Sequence, residues 1–208
     1  MLDLIIRGGQ VVTPWGVGDW DVAVQGEKIV AVAAPGTLTE EVRRVVDATG
    51  KIVVPGGIEP HAHIAAPVMG PGNLKTAPPE QVSRAALFGG TTTLLDFAIQ
   101  YPGINISQAI QERTSAWQGK SYADYSHHLM LLGEIPPDVL GQLHEHIEDG
   151  FATVKIFTTN IRPPEMSGEP RMVRMGHLHD LMEQIQRHSG MLLVHSEDDD
   201  MVQHMYRK

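Results

Sequence analysis

Hydrophobic positions follow one rhythm over the first 51 residues of the chain and another rhythm after them. Residues 1–51 contain short β-branched runs that are separated by turn residues and show no helical period. These runs predict one hairpin over 4–12, a second over 21–32 and a further short strand at 45–46. We therefore expect residues 1–51 to form the N-terminal part of a small β-sandwich domain.

From residue 52 onwards, short apolar runs alternate with stretches of helical period. The predicted strands are 52–54, 91–99, 125–132, 152–159 and 191–195, and the predicted helices are 79–88, 107–118, 138–149 and 176–188, with a fifth beginning over 198–207. Ser107 and Asp138 are expected to cap two of these helices. Repeated βα units imply parallel strands with right-handed crossovers. The predicted α/β fold over 52–208 is a (β/α)8 TIM-like barrel, truncated after about five strands.

The length of the chain also bears on the barrel. An eight-stranded barrel alone takes about 250 residues, whereas the whole chain has 208. The last helical pattern stops soon after it begins. We therefore expect the chain to be the first part of a longer protein.

Composition excludes several classes of partner. The formal charge is -9 and the 16 basic residues are scattered, which argues against nucleic acid and against an anionic membrane surface. The chain has no cysteine, so it has neither disulfides nor thiolate metal ligands. Its start lacks the features of a signal peptide, and no stretch approaches the ~18 apolar residues of a membrane span. These features predict a soluble, cytoplasmic protein.

His61 and His63 follow the first strand of the second region, after a break at Pro55 and two glycines. In an extended backbone, side chains two residues apart share a face, so both imidazoles can point at one ion. An isolated His-x-His motif is usually an ordinary surface feature. The position of this pair at the end of a predicted strand is what favours metal binding.

Two further His-x-His pairs lie in helical patterns, and they provide a comparison. They are His144 with His146 and His177 with His179. Two positions along a helix rotate a side chain by about 200°, so neither pair can chelate one ion. We expect these four histidines to be solvated or half-buried surface residues.

Lys155 and His195 lie in the last part of two predicted strands. A lysine inside an apolar, β-branched strand is costly unless it is paired or neutral. On this segment alone, Lys155 also fits an edge-strand lysine whose amine reaches solvent. His195 lies where barrel enzymes place ligands, but alone it also fits a core histidine.

Several motifs together resemble a known family. They are Pro-Gly-Gly-Ile-Glu-Pro-His-Ala-His at 55–63, Gly-Gly-Thr-Thr-Thr at 89–93 leading to Asp-Phe at 96–97, Asp-Tyr-Ser-His-His-Leu-Met at 124–130, Val-Lys-Ile-Phe at 154–157 and Val-His-Ser-Glu-Asp-Asp-Asp at 194–200. As a set they resemble the amidohydrolase superfamily, most closely its hydantoinase/dihydropyrimidinase branch. The resemblance covers essentially the whole chain and implies a barrel of the metal-dependent hydrolase type.

The resemblance implies a site with two divalent metal ions, usually zinc. His61 and His63 would bind the more buried ion, and His195 the more exposed one. Lys155 would carry a carbamate formed from carbon dioxide and would bridge both ions. Water activated between the two cations would then attack a ring amide carbonyl, which opens a hydantoin or dihydropyrimidine to an N-carbamoyl amino acid.

The chain departs from the family pattern in three ways. A sixth-strand His and an eighth-strand Asp complete the family's site, and neither lies in this sequence, so we expect the chain alone to be inactive. The carboxylates at 198–200 are expected to interact with a helix dipole instead. Asn160 stands where hydantoinases usually carry a substrate-binding Tyr, which leaves the substrate open. The segment 161–174 is longer than usual and is a candidate lid or subunit contact.

Other interpretations stay open at this point. One is a non-catalytic dihydropyrimidinase-like scaffold, although such proteins tend to lose the metal ligands that remain here. Another is a related amidohydrolase acting on allantoin or dihydroorotate. The predicted partners are a small cyclic amide or ureide and either further copies of the chain or a chain that carries the missing strands. Asp96 is expected to be mainly structural, and of His127 and His128 only one can face inward.

Overall fold

A computed structural model describes residues 1–68, 74–101, 103–161, 168 and 170–208 of the chain. The chain divides into two compact units, Met1–Gly56 and Gly57–Lys208. The boundary thus falls after residue 56, whereas the sequence pattern placed it after residue 51.

The first unit is built from strands only. Its strands are β1 Leu2–Arg7, β2 Gln10–Thr13, β3 Gly16–Asp19, β4 Asp21–Gln25, β5 Lys28–Ala33, β6 Val42–Asp47 and β7 Ile52–Val53. They form a four-stranded sheet in the order β5-β4-β1-β6 and a three-stranded sheet in the order β3-β2-β7. Leu2, Ile5 and Ala23 are buried in a small core with Leu38.

Two predictions about this unit are corrected by the pairing. The hairpin expected over 4–12 is absent, because β1 pairs with β4 and β6 whereas β2 pairs with β3 and β7. The strand at Ile52–Val53 does not open the barrel; it pairs with β2 in the first unit. Its apolar run resembles a barrel strand locally, and only the pairing partner distinguishes the two. The predicted hairpin over 21–32 and the strand at 45–46 are confirmed.

The second unit alternates strands and helices. In chain order they are β8 Gly57–Glu59, α1 Pro79–Phe88, β9 Thr91–Gln100, α2 Ile106–Trp117, β10 Asp124–Leu131, α3 Pro137–Glu148, β11 Thr153–Phe157, α4 Met175–Arg187, β12 Met191–His195 and α5 Asp199–Tyr206. The strands form one sheet in the order β12-β11-β10-β9-β8, and every neighbouring pair is parallel. This arrangement is the one expected for consecutive βα units.

Side chains along these strands alternate between two faces of the sheet. Leu129, Val154 and Ile156 pack with residues of α2, α3 and α4 in the main core. Phe97, Met130, Leu132 and Phe157 form a separate cluster on the opposite face. We call this second surface the inner face. Because the side-chain period of a strand is two, the residues that share a face can be read from the register.

The helix caps correct some details. Asn105, rather than Ser107, begins α2: its side chain accepts from the Gln108 amide, and the Gln108 side chain accepts from the Asn105 amide. Asp138 lies inside the first turn of α3, which follows Pro136. Asp198 caps α5 by accepting from the Met201 amide at 2.8 Å. The carboxylates at 198–200 therefore open a helix as predicted.

Two further points concern the chain as a whole. No helix in the described ranges is long and apolar enough to cross a membrane. In the segment 161–174, for which a lid or a subunit contact was predicted, residues 162–167 and 169 lie outside the described residues.

Candidate metal centre

The inner face carries most of the side chains predicted to form the site. Lys155 lies between two residues of the main core, so it points to the same side as Phe157. The register pairs Lys155 with Met130 on β10 and with Leu193 on β12. His195 is the last residue of β12 and pairs with Phe157. Parallel strands thus bring the carboxyl ends of β11 and β12 to one edge.

His61 and His63 lie in the loop that follows β8. Their ring centroids are 5.3 Å apart, and both rings contact Phe97 on β9. The ring of His63 stacks on Phe97 at 4.6 Å with an interplanar angle of 17°, and that of His61 meets Phe97 edge-on at 4.9 Å. The two imidazoles therefore lie together on the inner face; that both point at one metal ion stays a prediction.

Both imidazoles favour the neutral form. Burial lowers the pKa of His61, and the nearby ammonium of Lys155 lowers it further. Burial also lowers the pKa of His63, against the opposing effect of the Asp96 carboxylate. A neutral imidazole has a free lone pair for a metal ion, so the environment suits these residues as ligands.

Lys155 is buried and has no carboxylate partner among the described residues. Its side chain is 5% exposed, and no carboxylate of the described residues lies within ion-pair distance of Nζ. The amine lies 5.3 Å from the centroid of the Phe157 ring. Burial lowers the pKa of Lys155, which favours a neutral and nucleophilic amine. The predicted edge-strand alternative is wrong, because β11 lies between β10 and β12.

His195 lies beside Phe157 on the inner face. Its ring centroid is 5.3 Å from that of Phe157. His195 Nε2 lies 2.8 Å from Glu197 Oε2, and a carboxylate only accepts, so Nε2 donates. In the neutral ring the remaining nitrogen, Nδ1, is then the one able to bind a metal ion.

The other polar candidates have structural partners. Asn160 accepts from the Arg171 amide at 3.0 Å through its side-chain oxygen, and its own amide donates to Asp199. His146 is buried and lies 3.2 Å from the Ser107 hydroxyl, which corrects the expectation of a surface residue. Its neighbour His144 lies among exposed groups, as expected.

The donor set fits a metal site that depends on a modified lysine. Within the described ranges, no group of three or more His, Cys, Asp or Glu side chains is arranged to hold a metal ion. Two neutral imidazoles and a buried amine on one face supply two nitrogen donors and a position for a carbamate. A carbamate would add the carboxylate oxygens that the unmodified chain lacks.

Sequence reasoning missed how the loop around His61 and His63 is held. His128 Nε2 donates to the carbonyl of Pro60 at 2.7 Å, and its Nδ1 lies beside the Thr153 hydroxyl. Asp96 is 1% exposed and is bound by Arg113, by Trp117 and by backbone amides. For Asp96, the only sequence signal of this supporting role was the position of a charged residue inside an apolar strand.

These features define the class of protein to which the chain is related. Consecutive parallel βα units, with polar side chains gathered at the carboxyl ends of the strands, form the architecture of TIM-type barrel enzymes. The described part of the chain contains five such strands.

Comparisons with known proteins make the relation specific. The chain is 31% identical over 205 residues to a D-hydantoinase of Geobacillus stearothermophilus, covering 98% of this chain and 41% of that protein. It is 32% identical over 197 residues to an allantoinase of Salmonella choleraesuis (strain SC-B67), covering 94% of this chain and 41% of the relative. Its structure resembles the crystal structure of dihydropyrimidinase from Brevibacillus agri NCHU1002 with a TM-score of 0.85, at 29% identity, over 99% of this chain and 42% of that one. No protein-family model matches the chain.

The chain therefore belongs to the amidohydrolase superfamily, and it is similar to hydantoinases, dihydropyrimidinases and allantoinases. The family predicted from the motifs is confirmed. The chain spans about two-fifths of the length of the curated relatives it matches.

Proposed function

We propose that the chain contributes to a metal-dependent hydrolase that opens cyclic amides such as hydantoins and dihydropyrimidines. The observation that supports this most directly is Lys155, a buried lysine that has no carboxylate partner in the described ranges and lies on the same face as His61 and His63. A structural lysine in that position would need a counter-charge. A lysine that becomes a carbamate is neutral before the modification and gains two metal-binding oxygens after it.

Each predicted ligand has a role in this proposal. His61 and His63 would hold one ion through neutral imidazole nitrogens. When deprotonated, the Lys155 amine would add to carbon dioxide and lose one proton to solvent, and the carbamate so formed would hold metal ions through its oxygens. His195 would hold the second ion through Nδ1, because Glu197 occupies Nε2. We expect both ions to be zinc, because zinc accepts nitrogen and carboxylate ligands.

Two divalent ions supply Lewis acidity, which activates water at neutral pH and polarises an amide carbonyl. The chain provides the surroundings in which this chemistry works. Phe97 and Phe157 are buried beside the ligands and exclude water from one side of the site. Exclusion of water strengthens the electrostatic interactions of the ligands.

The substrate class follows from the relatives. Those named above are a D-hydantoinase, an allantoinase and a dihydropyrimidinase, and hydantoin, allantoin and dihydropyrimidine rings all contain ureide or cyclic amide bonds. The identity of 32% to an allantoinase keeps allantoin as a second candidate. We keep Asn160 as a predicted substrate contact. Its side-chain oxygen also accepts from the Arg171 amide and so holds the segment that precedes α4.

We further propose that other strands complete the site, either from the rest of a longer protein or from another chain. The two outer strands support this. Ile58 on β8 is 65% exposed, and Met191 and Val194 on β12 are 61% and 40% exposed. Strand edges with exposed apolar side chains associate readily. We expect light scattering to detect self-association of the isolated chain; a monodisperse monomer would contradict this.

Metal content and carbamate formation test the proposal together. The chain is incubated with zinc and 13C-labelled bicarbonate, and unbound zinc and bicarbonate are then removed. Bound zinc is measured by elemental analysis, and the carbamate is detected by 13C NMR. We expect retained zinc and a carbamate signal in the wild type and in the Lys120→Ala control, and neither in Lys155→Ala. Equal zinc in wild type and Lys155→Ala would overturn the proposed role of the lysine.

Turnover is a separate readout. Hydantoin, dihydrouracil and allantoin are supplied to the chain alone and to a protein that also carries the remaining barrel strands. We expect hydrolysis only in the second case, and the preferred ring identifies the substrate. Absence of hydrolysis by the completed protein, with zinc bound, would favour the non-catalytic scaffold instead.

A further inference from the structure

The loop that carries His61 and His63 is attached at both ends to groups outside the proposed ligand set. On the first side, His128 Nε2 donates to the carbonyl of Pro60, the residue before His61. On the second side, Asp96 and Arg113 bind Ile64, the residue after His63. Both attachments are made to the backbone.

The attachment at Ile64 is a closed polar network. The Ile64 amide donates to Asp96 Oδ1 at 3.4 Å, and the Ile64 carbonyl accepts from Arg113 Nη2. Arg113 also donates to Asp96 Oδ2 through Nε at 2.6 Å, and Trp117 donates to the same oxygen at 2.8 Å. A buried charge-assisted network of this kind rigidifies the groups that it joins.

Packing alone does not hold this part of the loop. A cavity of about 230 Å³ lies beside it, lined by His63, Ala65, Asp96, Phe97 and Arg113 among others. Side chains that border a cavity lose van der Waals contacts on that side. The Ile64 side chain is buried against Leu94 and Trp117, so its packing and the hydrogen bonds to its backbone hold this part of the loop together.

Two adjacent residues of β9 act on the loop from opposite faces of the sheet. Asp96 holds the backbone at Ile64 and points to α2, whereas Phe97 stacks on the His63 ring on the inner face. Between the two attachments, the Ala62 amide donates to the Leu95 carbonyl at 2.9 Å. The backbone is thus fixed before, between and after the two histidines.

We propose that His128, Asp96 and Arg113 are positioning residues, which clamp the backbone on both sides of His61 and His63 and so orient the two imidazoles toward one metal ion. The inference rests on the proposed function for the identity of the metal site. The clamp itself is a property of the chain. Residues that orient metal ligands typically change metal affinity by 10–100-fold when they are substituted.

The adjacent histidines of β10 offer a matched pair of variants. His127 and His128 are both 3% exposed, but only His128 is bonded to the loop, and neither nitrogen of His127 has a hydrogen-bond partner among the described residues. His128→Phe removes the bond to Pro60, and His127→Phe is its control. On the second side, Arg113→Lys keeps the charge but loses the planar guanidinium, whose nitrogens donate to both Asp96 and Ile64. Trp117→Phe removes one bond to Asp96 and leaves Ile64 attached.

The experiment measures amide hydrogen exchange over residues 61–66 and the affinity for Co²⁺, under conditions in which each variant is folded. We expect His128→Phe and Arg113→Lys to speed local exchange and to weaken Co²⁺ binding about tenfold or more. We expect His127→Phe and Trp117→Phe to change both by less than about threefold. If Arg113→Lys does not fold, Thr153→Val, which removes the hydroxyl beside His128 Nδ1, is the second test.

The outcomes separate the clamp from the proposed function. Unchanged exchange over 61–66 in His128→Phe and Arg113→Lys would overturn the clamp, as would equal loosening by His127→Phe. A wild type that binds no Co²⁺ would overturn the metal site, while the exchange data would still decide whether the loop is clamped.

Discussion

Two buried charges lie on opposite faces of the same parallel sheet and have opposite surroundings. Asp96 is 1% exposed and is bound by Arg113, Trp117 and the amides of Ile64 and Phe97. Lys155 is 5% exposed and has no carboxylate partner among the described residues. Both side chains are costly to bury. Among the described residues, only the first is compensated by charged partners.

The difference separates structure from chemistry. A fully paired charge stabilises the fold and has no capacity left for a ligand, because its hydrogen bonds are already made. An unpaired lysine in an apolar environment tends to lose its proton, and a neutral amine can react. The sheet thus presents a supporting face toward α2 and a reactive inner face. Four substitutions test this contrast.

The largest effect is expected for Asp96→Ala. Removing the carboxylate leaves the Arg113 guanidinium, 16% exposed, without its partner. Breaking a buried pair in this way costs about 3–5 kcal/mol of unfolding free energy, which urea denaturation measures. The double substitution Asp96→Ala with Arg113→Met should be less damaging than the single one. A loss of less than about 1 kcal/mol in the single variant would show that the network is not structural.

The next effect concerns acid stability. Burial lowers the pKa of His127 to about 4, against the raising effect of Asp96 and together with the lowering effects of Arg113 and His128. A group with a depressed folded-state pKa binds its proton more readily in the unfolded state, so the chain loses stability as the pH falls from about 6.5 to about 4. The loss due to this residue amounts to about 3 kcal/mol.

His127→Phe should remove that contribution and still pack against Trp117 and Tyr125, which contact His127 in the wild type. Unfolding free energies of wild type and variant are compared between pH 7 and pH 4. His61 and His63 also have lowered pKa values and remain in both proteins, so the difference reports on His127. Parallel curves would contradict the prediction.

A smaller effect of opposite sign is expected for Lys155→Met. The unpaired amine destabilises the fold at pH 7, so an apolar side chain of similar length should add roughly 1 kcal/mol. Because the pKa of Lys155 is lowered in the folded state, the wild type gains stability as the pH rises toward the unfolded value, and the advantage of Met shrinks. Metal retention should be lost. A variant that is less stable than wild type would show that Lys155 has a structural partner.

The smallest effect is expected at the helical histidines. His177 and His179 lie near the acidic groups Glu134 and Asp180 at 4.0 and 3.6 Å on partly exposed surface. Replacing both by Ala should change the unfolding free energy by less than about 0.5 kcal/mol and leave metal content unchanged. Replacing His61 and His63 should abolish metal retention. Loss of metal from the helical variant would contradict the geometric argument about the two kinds of pair.

Much of the second unit followed from local pattern. The helix Pro79–Phe88 and the strand Met191–His195 have the predicted bounds, because long periodic segments with clear breaks determine their own secondary structure. The strand at Ile52–Val53 was assigned to the wrong sheet, since a short apolar run pairs equally well with several partners. The cap at Asn105 was missed because Ser107 is also a good cap, and the choice depends on the side chain of Gln108.

The sequence by itself determined the family and the alternation of strands and helices, and it predicted which residues are candidate metal ligands. These depend on residue type, spacing and period, which are local properties. Only the tertiary structure decided which of these residues share a face and that Pro60 and Ile64 are held from β9, β10 and α2. It also decided that Asp96 is fully paired, whereas Lys155 has no carboxylate partner in the part of the chain that the structure describes. Those facts depend on contacts between residues far apart in the chain, such as Pro60 and His128, which are separated by 68 positions in the sequence. Local pattern contains no information about the partner that folding will supply.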